Sequence, residues 1–356
     1  MRPRGITERS ETRRDSTGAG AVWNPLVLLV AVLAGGGVSA AEPTPDALDS
    51  YNVVWETPSA NYGGSLPLGN GDIGLNVWVE ADGDLQFFIS KTDAWDDNAR
   101  LVKIGKVRVH LEPNPFAAGQ PFRQTLRLRD ATAAIEAGEG DRHTVVRVWV
   151  DANLPVIHVT ADSQTPLEAT AAIELWRTEQ QPYAPLQTSD ILVNRRLPDG
   201  QQAPTIIEPD TVLADQTKRI GWYHHNVKSV GPQLLGEIQG LTEFGQPDPL
   251  LARTFGAIMT VEQGQRVDDL HLQCPAAKSQ RLNVYVLTQH PAAPAEWLAE
   301  MDRTIARVEG ADFAARRAAH ERWWAEFWDR SWIRAALRPG AETTADAAIP
   351  ANPHPL

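Results

Sequence analysis

The stretch Leu85-Gln86-Phe87-Phe88-Ile89-Ser90 decides the fold. Successive side chains of an extended chain point to opposite faces, so Leu85, Phe87 and Ile89 share one face and Gln86, Phe88 and Ser90 the other. The same alternation sets Val107, Val109 and Leu111 against Arg108, His110 and Glu112. It recurs at Val146, Val148 and Val150, at 156–159, along 169–175, at 255–261, and at Leu282, Val284 and Val286. Gly, Pro, Asn and Asp separate these runs, as turns require. From Tyr51 to about Gln289 the pattern predicts a dozen or more strands, beyond the roughly seven to nine of an ordinary sandwich. Two broad, long-stranded β layers are expected, each with one face toward a shared core.

After His290 the period changes. Trp297, Met301, Ile305 and Val308 recur at helical spacing, with Pro294 and Glu296 suited to a helix start and Gly310 to its end. A second helix is predicted over 312–336, carrying Phe313, His320, Trp324, Phe327, Trp328 and Ser331 at three- and four-residue steps. Such an aromatic stripe calls for something to cover it. The reading divides the chain into a leader (1–40), a linker (41–50), the β region (51–291), a helical linker (292–337) and a disordered tail (338–356) rich in Ala, Pro, Thr and Gly.

The leader reads as a secretory signal peptide. Arg2, Arg4, Arg9, Arg13 and Arg14 precede an apolar run from Leu26 to Ala34, and Val38-Ser39-Ala40 offers small residues for cleavage near Ala40. The run is too short to span a bilayer, which takes about 20 residues. Export to the periplasm or the medium is the expectation, with no membrane attachment after cleavage.

Composition narrows the rest. Of 356 residues 42% are apolar and 22% charged, with 26 Gly and 26 Pro, which excludes collagen-like, coiled-coil and wholly disordered classes. A formal net charge of −12 opposes nucleic acid and anionic membrane as partners. Twelve Trp against eight Phe and five Tyr supply flat rings for a core or for stacking on a ligand. Cys274 is the only cysteine, so neither an internal disulfide nor a cysteine zinc cluster can form. Between an alternating run and Pro275 it reads as a half-buried, inert thiol. No phosphate loop, nucleophile elbow or helical His pair of a metalloprotease occurs, and no metal or cofactor is expected.

Three stretches carry candidate chemistry. Gly63 to Gly74 holds five glycines and an Asn70-Gly71 pair, which reads as a tight hairpin turn; no helix follows it to make a phosphate site. Lys91-Thr92-Asp93-Ala94-Trp95-Asp96-Asp97-Asn98 gathers three carboxylates beside an indole. Its spacing fits no calcium loop. It serves either turn capping or sugar contact, with Asp93 hydrogen-bonding hydroxyls and Trp95 stacking on a ring. In Gly221-Trp222-Tyr223-His224-His225-Asn226, strand parity puts Trp222, His224 and Asn226 on one face and Tyr223 and His225 on the other. This is a ligand-facing strand end or a merely exposed one. The candidate substrate-binding residues are therefore Trp222, His224, His225, Asn226, Asp93 and Trp95; no catalytic residue is identifiable.

The segments 66–74 (LPLGNGDIG), 89–95 (ISKTDAW), 105–109 (GKVRV), 221–226 (GWYHHN) and 320–333 (HERWWAEFWDRSWI) resemble bacterial exported proteins of the domain of unknown function 5703 family. More distantly they are similar to the amino-terminal domain of glycoside hydrolase family 95 α-L-fucosidases, which favour an Asn-Glu pair where Ser90 and Lys91 stand here. The resemblance implies a mostly β fold, a β-supersandwich of the galactose-mutarotase type followed by two linker helices. In such proteins an (α/α)₆ barrel carries the catalytic acid and base; this sequence is expected to lack it. A glycoside-hydrolase-like protein acting on poly- or oligosaccharide is implied, with the barrel in a missing segment or partner chain. The alternatives are a self-contained carbohydrate-binding or structural module, and a mutarotase-like enzyme with His224 or His225 as acid.

Overall fold

The computed structural model describes residues 47–182, 206–229 and 247–333, and between 229 and 247 only positions 232, 236 and 239–241. The expected leader, most of the linker and the expected tail lie outside the described residues.

Sixteen strands are described: β1 (Val53–Trp55), β2 (Leu66–Gly69), β3 (Ile73–Val79), β4 (Leu85–Trp95), β5 (Leu101–Glu112), β6 (Phe122–Arg127), β7 (Thr132–Ala137), β8 (Thr144–Val150), β9 (Val156–Glu174), β10 (Gln181–Pro182), β11 (Ile206–Ile207), β12 (Thr211–Val212), β13 (Arg219–His225), β14 (Thr254–Val261), β15 (Gln265–Arg266) and β16 (His271–Gln289). One path runs β1-β6-β7-β8-β9-β16-β14-β13-β12, and a second arm, β2-β3-β4-β5, joins it at β9. β10 and β11 form a separate small ribbon.

The two 19-residue strands explain the branching. The first half of β9 pairs with β8 and its second half with β5, while β16 accompanies it along both. A long strand can serve two layers only if it bends between them. β16 slips register between Cys274 and Ser279, around Pro275, and β9 carries Pro166 on the facing segment. Proline donates no ladder hydrogen bond, so both sit where pairing is already interrupted. Gln280 spans the break, its Nε2 donating to the carbonyls of Leu167 (2.6 Å) and Pro275 (2.8 Å). The result is the expected large β-sandwich, with Leu85, Phe87, Ile89, Val107, Val146, Val148, Ile157 and Val284 in one continuous core. Cys274 is buried there, and burial pushes its thiol up to about 11.

The Asn70-Gly71 hairpin forms between β2 and β3. Gly71 alone takes the left-handed conformation, at φ +90°. Asn70 contributes through its side chain: Oδ1 accepts from the amides of Asp72 and Ile73, and Nδ2 donates to the Asp151 carbonyl.

Helix α1 (Pro294–Glu309) covers the outer face of β14 and β16, burying Trp297, Met301, Ile305 and Val308 against Ile258 and Tyr285. Helix α2 spans Phe313–Arg330, with the Asp312 carboxylate capping the Ala315 amide at 2.7 Å. It stops short of the expected position 336 because Ser331 is extended and Trp332 turns back onto Tyr51, ring centroids 5.7 Å apart. Of the aromatic stripe only His320 is fully buried. Trp323, Trp324, Phe327 and Trp328 pack mainly on one another, at 4.9–5.7 Å between centroids.

Candidate functional site

The structure brings two of the three candidate stretches together. Beyond β4 the chain turns through Asp96, whose Oδ1 accepts from the amides of Asn98 (3.0 Å) and Arg100 (2.9 Å). That is turn capping. Asn226 meets this turn from 131 positions away, its Nδ2 donating to the Trp95 carbonyl at 2.9 Å and to the Leu250 carbonyl at 3.0 Å. The Lys228 amide donates to Asp97 Oδ1 (2.9 Å), and Arg253 donates to the Asp93 carbonyl (3.1 Å). The end of β13 and the loop after β4 therefore form one unit.

A buried charge network lies beneath. His224 Nδ1 is 3.0 Å from Asp210 Oδ1, and its Nε2 faces Asp97 Oδ2 across 3.6 Å, an ion-pair distance too long for a hydrogen bond. Arg177 grips Asp210 with two nitrogens, each at 2.9 Å, and donates a third bond to the Lys103 carbonyl. All four side chains are nearly inaccessible. Burial opposes the charged imidazole, yet the hydrogen bond to Asp210 and the approach of Asp97 outweigh it and raise the His224 pKa. Arg177 and the His224 ring thus face two carboxylates in a low-dielectric setting, where an unbalanced charge costs several kcal/mol. Among the described residues no group of three His, Cys, Asp or Glu side chains is placed to hold a metal ion.

The six candidate residues divide by exposure. Trp222 is a core side chain, its Nε1 donating to the Ile104 carbonyl at 2.9 Å and its ring against Gly105. His224 and Asn226 are enclosed and brace the loop. These three present no surface to a sugar, because inward parity on β13 points into the sandwich rather than toward a cleft. Asp93, Trp95 and His225 retain a face. Trp95 is 38% exposed, its indole donating to the Thr92 carbonyl. Asp93 pairs with Lys91 at 2.8 Å, and Lys91 also holds Asp72. His225 Nδ1 lies 2.7 Å from Thr254 Oγ1; that hydroxyl donates onward to the Ala292 carbonyl and so accepts from the ring. Burial, with His224 close by, lowers the His225 pKa despite the opposing pull of Asp97.

A cleft of about 450 Å³ adjoins this unit; the residues missing from the candidate set line it. Leu101 on its wall is the cross-strand partner of Trp95. Phe88 and Trp176 meet edge to face at 6.1 Å, and Arg100, Lys103, Arg177 and Gln181 supply polar groups. One sequence signal pointed there: Phe88 is a large aromatic on the otherwise polar face of β4. Trp176 belongs with it only through the β5–β9 pairing.

No curated protein matches the chain. Among solved structures, a chain titled "Putative kojibiose phosphorylase from human microbiome" aligns at a TM-score of 0.40 and 8% identity. The alignment covers 78% of the present chain and 38% of that one, so the present chain spans well under half of its length. A family model, domain of unknown function (DUF5703), matches residues 54–333, through both β layers and both helices. The chain belongs to the DUF5703 family.

Proposed function

We propose that this chain is an exported, carbohydrate-contacting β-supersandwich, the amino-terminal part of a glycoside-hydrolase-like protein. The observation that carries the reading is the rim formed by Trp95 and Asp93. A partly exposed indole stands near an ion-paired carboxylate at the end of β4, which Asn226 and Arg253 pin directly and Lys228 pins through the following turn. Flat rings and fixed polar groups are what a sugar demands: the apolar face of the pyranose stacks and the hydroxyls take directional hydrogen bonds. A rigid scaffold lowers the entropy cost of such contacts. Bond cleavage needs two carboxyl groups set about 5–10 Å apart across the scissile bond. On the family resemblance that pair belongs to an (α/α)₆ barrel, and the domain described here contributes substrate contacts.

A glycan array probed with the purified chain tests the reading. Retention of one or more saccharides is expected, reduced about tenfold by Trp95→Ala or Asp93→Asn with unchanged melting temperature. An array on which the wild-type chain retains nothing defeats the proposal. Export is tested by sequencing the amino terminus of the protein recovered outside the cytoplasm, expected to begin close to Ala41.

A further inference from the structure

Resting on that carbohydrate reading, we infer that the cleft walled by β4, β5 and the segment following β9 takes an acidic saccharide, with a sugar ring against Trp176 and its uronate or sulfate group against Lys103. Trp176 is 44% exposed although an indole is costly to leave in water, and Phe88 holds it edge to face at 87°. Phe88 is itself wedged by Tyr62 and Trp78, at 5.9 and 5.0 Å, so the platform is fixed.

The charge of the cleft runs opposite to that of the chain. Its described lining residues include Arg100, Lys103 and Arg177 and no Asp or Glu, in a protein of net charge −12. Arg177 is committed inward to Asp210 and Arg100 is also engaged, so neither is counted as a cation open to a ligand. Lys103 is open: its ammonium sits 4.2 Å from the Phe88 centroid and makes no ion pair among the described residues. A cation held over a phenyl ring is weakly anchored and gains more from an incoming anion. Gln181 adds an amide that both donates and accepts, as hydroxyls require. The volume lies within the roughly 300–1,000 Å³ of small-molecule sites. Because the remaining surface repels polyanions, any acidic polymer that binds must do so locally.

Affinity electrophoresis of the purified chain decides the matter, using two matched pairs: polygalacturonate with its carboxyl-reduced form, and dextran sulfate with dextran. An acidic polymer is expected to retard the chain at least tenfold more strongly than its neutral counterpart; which pair shows the difference tells uronate from sulfate. Lys103→Gln should weaken retardation about tenfold, the value of one charge-assisted hydrogen bond, and Lys103→Arg should preserve it. Trp176→Ala should abolish it, with melting temperatures reporting that the exposed substitutions leave the fold intact. Equal retardation by the neutral partner overturns the acidic specificity while leaving the carbohydrate reading standing. Retardation unchanged in Lys103→Gln and Trp176→Ala overturns the assignment of the cleft. If neither acidic polymer retards the chain, the inference fails, and the glycan array judges the broader reading separately.

Discussion

His320 of α2 donates from Nε2 to the carbonyl of Asp130 at 2.9 Å, while its Nδ1 accepts from the amide of Ala152 at 3.2 Å. Both ring nitrogens are thereby used by backbone of the β-sandwich, and only the neutral tautomer satisfies both bonds. This histidine joins the helix to the sheet. Burial pushes its pKa down to about 4, with the Asp130 carbonyl opposing the shift and Arg317 adding to it.

A pH dependence follows. The unfolded ring takes its proton near pH 6.5, the folded ring only near 4, so between these values the unfolded state binds more protons and stability falls as the medium is acidified. The contribution of His320 is complete above about pH 6.5 and is lost toward pH 4. His224, raised instead, acts in the other direction: its contribution is full below about pH 6.5 and is lost as pH rises through its folded value. Thermal melts from pH 4 to 8 on wild type and His320→Gln separate the two. The variant should melt lower at pH 7 and show a flatter decline below pH 6.5; parallel curves would exclude His320 as the source.

Replacing His224 should damage the fold rather than ligand binding alone. His224→Ala leaves Asp97 and Asp210 without the imidazole between them, and breaking such a buried arrangement costs about 3–5 kcal/mol. Denaturant titration should show the loss. Asp93→Asn, on the exposed rim, should stay within about 1 kcal/mol of wild type. A His224→Ala chain as stable as wild type would show that the buried network contributes nothing.

Gly105 and Trp222 should behave as one unit. A methyl group at 105 would lie 3.0–3.1 Å from three atoms of the Trp222 indole, closer than van der Waals contact allows. Gly105→Ala should therefore cost about 1–3 kcal/mol through overpacking. Trp222→Phe replaces the colliding indole with a smaller ring and removes the bond to the Ile104 carbonyl, and the double variant should be more stable than the two single losses added together. Strict additivity in the double-mutant cycle would refute the contact.

The aromatic side of α2 should promote association. Phe327 and Trp332 are each 37% exposed and Ile333 is 90% exposed, beside half-buried Trp323, Trp324 and Trp328. Light scattering over increasing concentration should detect self-association that Phe327→Ser and Ile333→Ser reduce. A strict monomer throughout the range counts against this expectation.

Backbone periodicity is a local property, and what depended on it could be read directly. The alternation at Leu85 to Ser90 marked β4 and its buried face, and the spacing of Trp297, Met301, Ile305 and Val308 marked the buried side of α1. The parity of β13 likewise sorted Trp222, His224 and Asn226 onto one side, as their burial confirms. Which side faced a ligand was a different question. Side chains on one face of a strand are indistinguishable in sequence whether they point into a core or into a cleft, so Trp222 stood among the candidate ligand contacts. Long-range register answered it. Pairing of β13 with β14, and of β9 with β5 and β16, set His224 between two carboxylates 14 and 127 positions distant, and set Trp176 beside Phe88. The partner of a buried charge and the rings of a cleft are chosen by contacts between remote segments, and no spacing along the chain encodes them.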